Sequence, residues 1–134
     1  MNTFLKLIFQ LFLVLIFSNP LHASESNNLE KVLNNNFKLI IKSSSRTIEP
    51  VIEDLLNTKS TNLEEFLKSW KNKKLYYVKK SKLIAILKQK NSNGYELLKF
   101  SDKTNLGFFK KKEIKAIKPN SGVRSKISNA LIGF

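Results

Sequence analysis

The residues whose types and spacing could support chemistry are few, and they narrow the field quickly. Asn120 and Arg124 sit four residues apart at the start of an apolar-periodic segment. Asn120 has a side-chain oxygen suited to a helix N-cap. Arg124 would then fall in the first turn, where a cation opposes the helix dipole, so a carboxylate partner is expected from Glu96, Asp102 or Glu113. This pair reads as a structural cap and ion pair. Lys110, Lys111 and Lys112, with Lys115 and Lys118, form the densest basic cluster. A solvated face is its plain reading. Its functional reading is a docking surface for lipid headgroups or an acidic partner.

Catalytic chemistry finds little footing. Acid–base work by carboxylates needs two groups converging on one pocket. Glu53–Asp54 and Glu64–Glu65 are neighbours in sequence and diverge by about 100° around a helix. Cysteine is absent, and the only histidine, His22, lies in the leader described below. Thiol nucleophiles, His-based triads and the usual zinc sites are thereby excluded from the rest of the chain. The four glycines are scattered and make no phosphate-cradling loop. The chain is read as non-enzymatic, with no cofactor and no metal.

The leader occupies residues 1–23. Met1 to Lys6 carry one positive side chain, Leu7 to Phe17 are apolar except for Gln10, Ser18-Asn19-Pro20 break the run, and Ala23 offers a small residue for cleavage. That order describes a signal peptide. An uncleaved anchor would need about 20 apolar residues, more than this stretch supplies. The expectation is export, cleavage after Ala23, and a single periplasmic α+β domain over 24–134, with inner-membrane association as a further option.

The formal net charge is +14, and removal of the leader takes only Lys6 of the basic side chains with it. Such a charge invites a nucleic-acid reading. Only Arg46 and Arg124 are arginines, however, and Arg is the residue suited to bidentate phosphate and base recognition. Export also separates the protein from the nucleoid. Nucleic acid is therefore not the expected partner. Without cysteine no disulfide can staple the fold, so core packing must hold it, and a hydrophobic share of 42% makes an ordered core reasonable.

Several elements must position these residues. Leu29, Val32, Leu33, Phe37, Ile40 and Ile41 recur at helical spacing, with Ser26, Asn27 and Asn28 as N-cap oxygens and Ser43-Ser44-Ser45 as the stop. Pro50 fits the first turn of a second helix, whose stripe is Ile48, Val51, Ile52, Leu55 and Leu56. Thr61 or Asn62 caps a third, with Leu63, Phe66, Leu67 and Trp70 inward. The pattern then changes to strands: Leu75 to Val78, Leu83 to Leu87, Tyr95 to Phe100 and Leu106 to Phe109, separated by polar turns. Lys110 to Ile117 reads as a short basic helix or irregular segment before Pro119, and a last helix places Val123, Ile127, Ala130 and Leu131 inward. The expected fold is α+β: N-terminal helices, a small antiparallel β-meander with helices on one face, and a C-terminal helix. Tyr76, Tyr77, Tyr95, Phe100, Phe108 and Phe109 could stack bases beside lysines, but alternating core positions account for them equally and are preferred.

Three pieces occur in order: Lys74-Leu75-Tyr76-Tyr77, then Asp102-Lys103-Thr104-Asn105-Leu106-Gly107, then Asn120-Ser121-Gly122-Val123-Arg124-Ser125-Lys126-Ile127 running on to Ala130-Leu131. Taken together, Leu63 to Leu131 resembles the extracytoplasmic N-terminal region of urea-type ABC transporter permeases, of the branched-chain amino-acid permease superfamily. That family usually pairs two Asn before its last helix, where this chain has Asn120 then Ser121. It also continues into a multi-span permease, which this sequence does not contain, so transport itself is not implied. The resemblance implies an accessory or detached periplasmic segment of a urea or branched-chain amino-acid importer, docking on the membrane or binding-protein component of the transporter. Two alternatives stand beside it: a standalone secreted basic module for anionic lipid or polymer, and a non-functional fragment of a permease gene.

Overall fold

A computed structural model describes the chain from Pro20 onward, with side chains from Asn28. The predicted n-region and apolar run of the leader lie outside the described residues.

Helix α1 (Pro20–Asn35) brings Leu29 and Leu33 to the core. Ser26 to Asn28 lie inside this helix, so the expected cap there is corrected: helical backbone is already established before them. The expected single helix also divides. At Asn36 the backbone leaves helical geometry, and the Asn36 amide donates to the Val32 carbonyl (3.0 Å), a local side-chain bond of the kind that competes with a continuing helix. Helix α2 (Phe37–Ile41) resumes and buries Ile40. Helix α3 (Ile48–Asn57) has Pro50 in its first turn and buries Ile48, Val51, Ile52 and Leu55. Helix α4 (Leu63–Lys71) buries Leu63, Phe66, Leu67 and Trp70. Asn62 precedes it without capping it; its side-chain Nδ2 donates to the Ser101 carbonyl (3.1 Å).

Five antiparallel strands follow: β1 (Leu75–Val78), β2 (Leu83–Asn91), β3 (Gly94–Lys99), β4 (Asn105–Phe109) and β5 (Ile114–Ala116), in the sheet order β4-β3-β2-β1-β5. The first four form the predicted meander. The fifth corrects the reading of 110–117, where a 3-10 turn (Lys111–Glu113) leads into a strand paired with β1. β5 lies at the opposite edge from β4, yet only residues 110–113 join them. Four flat strand spacings would span about 19 Å, whereas this link reaches about 14 Å. The sheet must therefore curl.

The curl gives the sheet two different faces. Leu75, Tyr77, Ile84 and Ile86 face the helices and join the main core with Phe66, Trp70 and Phe100. Phe66 meets Phe100 edge-on with ring centroids 5.0 Å apart. Val78, Ala85, Leu97 and Ile114 form a second core inside the curl, flanked by Tyr76, Leu87, Tyr95, Leu106 and Phe109. Each fully buried side chain of this size contributes about 1.5–3 kcal/mol. The aromatic residues divide accordingly. Phe100 is core, the three tyrosines and Phe109 are half-buried, and Phe108 is 44% exposed, which corrects its assignment to the core. Helix α5 (Ser121–Leu131) closes the main core with Val123 and Ile127, packing on α3 and α4. Among the described residues no helix is long and apolar enough to cross a membrane.

Candidate anion-binding groove

Strand alternation determines which tyrosines can meet. Tyr76 on β1 and Tyr95 on β3 share the concave face, with ring centroids 5.7 Å apart and planes inclined at 52°. Lys90 reaches over the Tyr95 ring, its Nζ 5.0 Å from the centroid, a distance that supports cation–π attraction. Next to these rings, β5 supplies Ile114, Lys115 and Ala116, the 3-10 turn supplies Lys111, and Lys118 follows the strand. Ile41 of α2 closes the far side. The result is a surface groove of about 530 Å³ lined by aromatic and aliphatic side chains together with three lysines.

Of the five lysines in the sequence cluster, the fold brings Lys111, Lys115 and Lys118 to this groove. Lys110 and Lys112 are exposed beside it without lining it. The turn that carries them is held by Glu113, which accepts the Lys110 backbone N–H (2.7 Å). Among the described residues no carboxylate or imidazole lines the groove. Acidic side chains are paired elsewhere: Glu64 with Lys68, Glu96 with Lys88, Glu30 with Lys99, Glu65 with Lys103 and Glu49 with Lys126. Among the described residues no ion pair engages the three groove lysines, so their field points outward toward an anion. The groove can attract and orient negative charge.

Asn120 caps α5, its Oδ1 accepting from the Val123 N–H (2.9 Å). Arg124 falls in the first turn, but the ion pair expected for it is not formed among the described residues. Its proposed partners are occupied. Glu96 is bonded to Gln89, Lys88 and Asn105. Asp102 accepts from the Thr104 backbone N–H, and Glu113 from Lys110. The ion pair of α5 belongs to Lys126, 2.8 Å from Glu49. Glu53–Asp54 and Glu64–Glu65 stay apart from the groove, Asp54 meeting Asn36 and Glu64 meeting Lys68.

Periodicity places Ile41 on a helical stripe and Tyr76 and Tyr95 on strands near lysines, but it does not bring Ile41, these two tyrosines and Lys111, Lys115 and Lys118 into one groove. The signal available was the period-2 alternation of β1 and β3, which puts both tyrosines on one face. Compared with known proteins, the chain matches no family model, no curated protein and no solved structure.

Proposed function

We propose that this chain is a non-enzymatic, exported interaction module that binds an anionic partner in the groove formed by Tyr76, Tyr95, Lys111, Lys115 and Lys118. One observation carries the reading: three lysines without ion-pair partners among the described residues line one groove with Tyr76 and Tyr95, and no carboxylate of the described residues lines it. A solvated lysine face would have no need of that groove. Export rests on the leader pattern of residues 1–23, and the periplasm is the compartment it implies.

The test separates position from net charge. Replacing Lys111, Lys115 and Lys118 together by Glu, and in a second variant Lys31, Lys59 and Lys71 by Glu, changes the total charge equally. Binding to anionic vesicles and to immobilised polyanions is then measured across a salt series. The groove variant should lose binding and the control variant should retain most of it. Equal loss in both would reduce the site to general electrostatics.

A second reading is the accessory role in a urea-type importer, docking on the membrane or binding-protein component. It is favoured by the exposed apolar end of the chain beyond α5, where Ile132 is 81% and Phe134 53% exposed, a surface suited to burial against a partner. An affinity pull-down from membranes tests it. Recovery of an ABC permease or its binding protein supports the accessory role. Recovery of lipid alone, lost at high salt, supports the basic module.

A further inference from the structure

The groove does not end at Ile41. On the other side of that residue a second depression, of about 490 Å³, is lined by Phe37, Lys38, Lys42, Tyr77, Lys79 and Lys82, with Ile41 common to both. A third, of about 610 Å³, shares Phe37, Lys38 and Lys82 with the second and adds Asn34, Asn35, Leu39 and Ser81. The strand pairing supplies another bridge. Tyr77 of the second depression stands directly opposite Lys115 of the first across β1 and β5. The three depressions thus form one belt that crosses the β5 edge of the sheet. Among the described residues no aspartate or glutamate lines any part of it, and none of its lysines takes part in an ion pair.

We propose that this belt is the track of a linear acidic polysaccharide, bound along the successive lysine-lined depressions. The inference rests on the anion-binding reading of the first groove and specifies its ligand class. Three features select it. A recessed, curving path with charge along its length fits a flexible chain better than a flat bilayer surface. The ring geometry does not suit base stacking: Phe37 and Tyr77 meet edge-on at 88°, Tyr76 and Tyr95 are tilted, and Lys90 covers Tyr95. Finally, the hydroxyls of Tyr76, Tyr77 and Tyr95 make no hydrogen bond to the described residues. Each phenol is both donor and acceptor, so together they offer matching groups to a polyhydroxylated chain whose carboxylates meet the lysines.

The experiment uses the purified protein and oligogalacturonates of increasing length, from dimer to dodecamer, with affinity measured by calorimetry. Joining two subsites raises affinity through effective concentration, so the longest chains should bind at least about tenfold tighter than the shortest. The variant Lys38→Gln/Lys42→Gln/Lys79→Gln should lose that gain and leave short-chain binding unchanged. The variant Lys111→Gln/Lys115→Gln/Lys118→Gln should weaken both. A length-independent affinity, or a second-depression variant identical to wild type on long chains, overturns the belt while leaving the first groove standing. If neither long nor short chains bind and vesicles do not bind either, the anion-binding reading itself fails. Tighter binding of single-stranded DNA or polyglutamate of equal charge overturns the assignment to polysaccharide.

Discussion

Gln89 on β2 and Glu96 on β3 are direct cross-strand partners, and the Gln89 amide nitrogen donates to Glu96 Oε2 at 2.5 Å. Glu96 is only 4% exposed. Asn105 of β4 donates to its other oxygen (2.6 Å), and Lys88 lies 3.1 Å from that same oxygen. One carboxylate therefore ties three strands beside the irregularity that separates Leu87 from Gln89. These bonds, led by the one from Gln89, hold the Glu96 pKa below the ordinary glutamate value. Because the folded value is depressed, its contribution to stability is fully present above the unfolded value of about 4.3 and is lost as pH falls through the folded value. Glu96→Gln should lower the melting temperature at pH 7, since its amide would set a donor against Asn105 or Gln89. It should also flatten the acid limb of stability. Thermal melts from pH 7 to pH 3 read both effects, and an unchanged acid limb would remove Glu96 from the account.

Helix α4 ends in a closure that ordinarily calls for glycine. Lys73 takes φ 60°, its N–H donates to the Trp70 carbonyl (3.1 Å), and the Lys74 N–H reaches back to the Ser69 carbonyl (2.9 Å). This is the Schellman arrangement, in which a left-handed residue follows the cap. A side chain there costs about 1 kcal/mol in backbone strain. Lys73→Gly should stabilise the fold by up to about 0.5 kcal/mol after allowance for the greater freedom of glycine in the unfolded chain. Chemical denaturation should show a higher midpoint with an unchanged slope.

The same position explains much of what the sequence concealed. Lys59, Lys73, Lys82 and Lys103 all adopt positive φ, between 50° and 61°, so lysines occupy turns that are usually marked by glycine or asparagine. Periodicity alone was enough for α3, α4, β1 and the meander, because Val51, Leu55, Phe66 and Trp70 repeat as a helix and Tyr76 and Val78 alternate as a strand. It was not enough for β5, where only Ile114 and Ala116 alternate with lysine and the strand exists because β1 offers a free edge. The polar end of β2, Lys88 to Asn91, is likewise a strand through pairing with β3 rather than through any pattern of its own. Of the site, the lysine cluster was legible as composition. Which three of its members meet Tyr76 and Tyr95 depends on the curl of the sheet, and no local pattern encodes that.

At the start of α5 the two named residues should behave differently. Asn120→Ala removes the acceptor of the Val123 N–H and should cost about 1 kcal/mol. Arg124 has no carboxylate partner among the described residues and places a cation in the first turn of the helix. Arg124→Met should therefore leave stability unchanged or raise it by a few tenths of a kcal/mol. A loss near 1 kcal/mol for Arg124→Met in equilibrium unfolding would mean that the guanidinium has a partner after all.

Two glycines with positive φ give a controlled comparison. Gly94 (φ 118°) starts β3, and a Cβ there would lie 2.5 Å from the Phe109 carbonyl oxygen at the end of β4. Gly107 (φ 89°) sits within β4, and a Cβ there would meet nothing within 4 Å. Both positions strain an L-residue, at a cost of about 1–3 kcal/mol. Only Gly94 adds a clash with backbone, which cannot rotate away as a side chain can. Gly94→Ala should therefore be the more destabilising by at least about 1 kcal/mol. It should also displace the end of β4 from Tyr95, whose cross-strand partner is Phe109, and so weaken anion binding in the groove that Tyr95 lines. Gly107→Ala should lower stability while leaving that binding intact. Unfolding midpoints measured alongside vesicle or polyanion binding for the two variants separate strain at the backbone from damage to the site, and equal binding losses would show that the groove does not depend on the closure of β3 against β4.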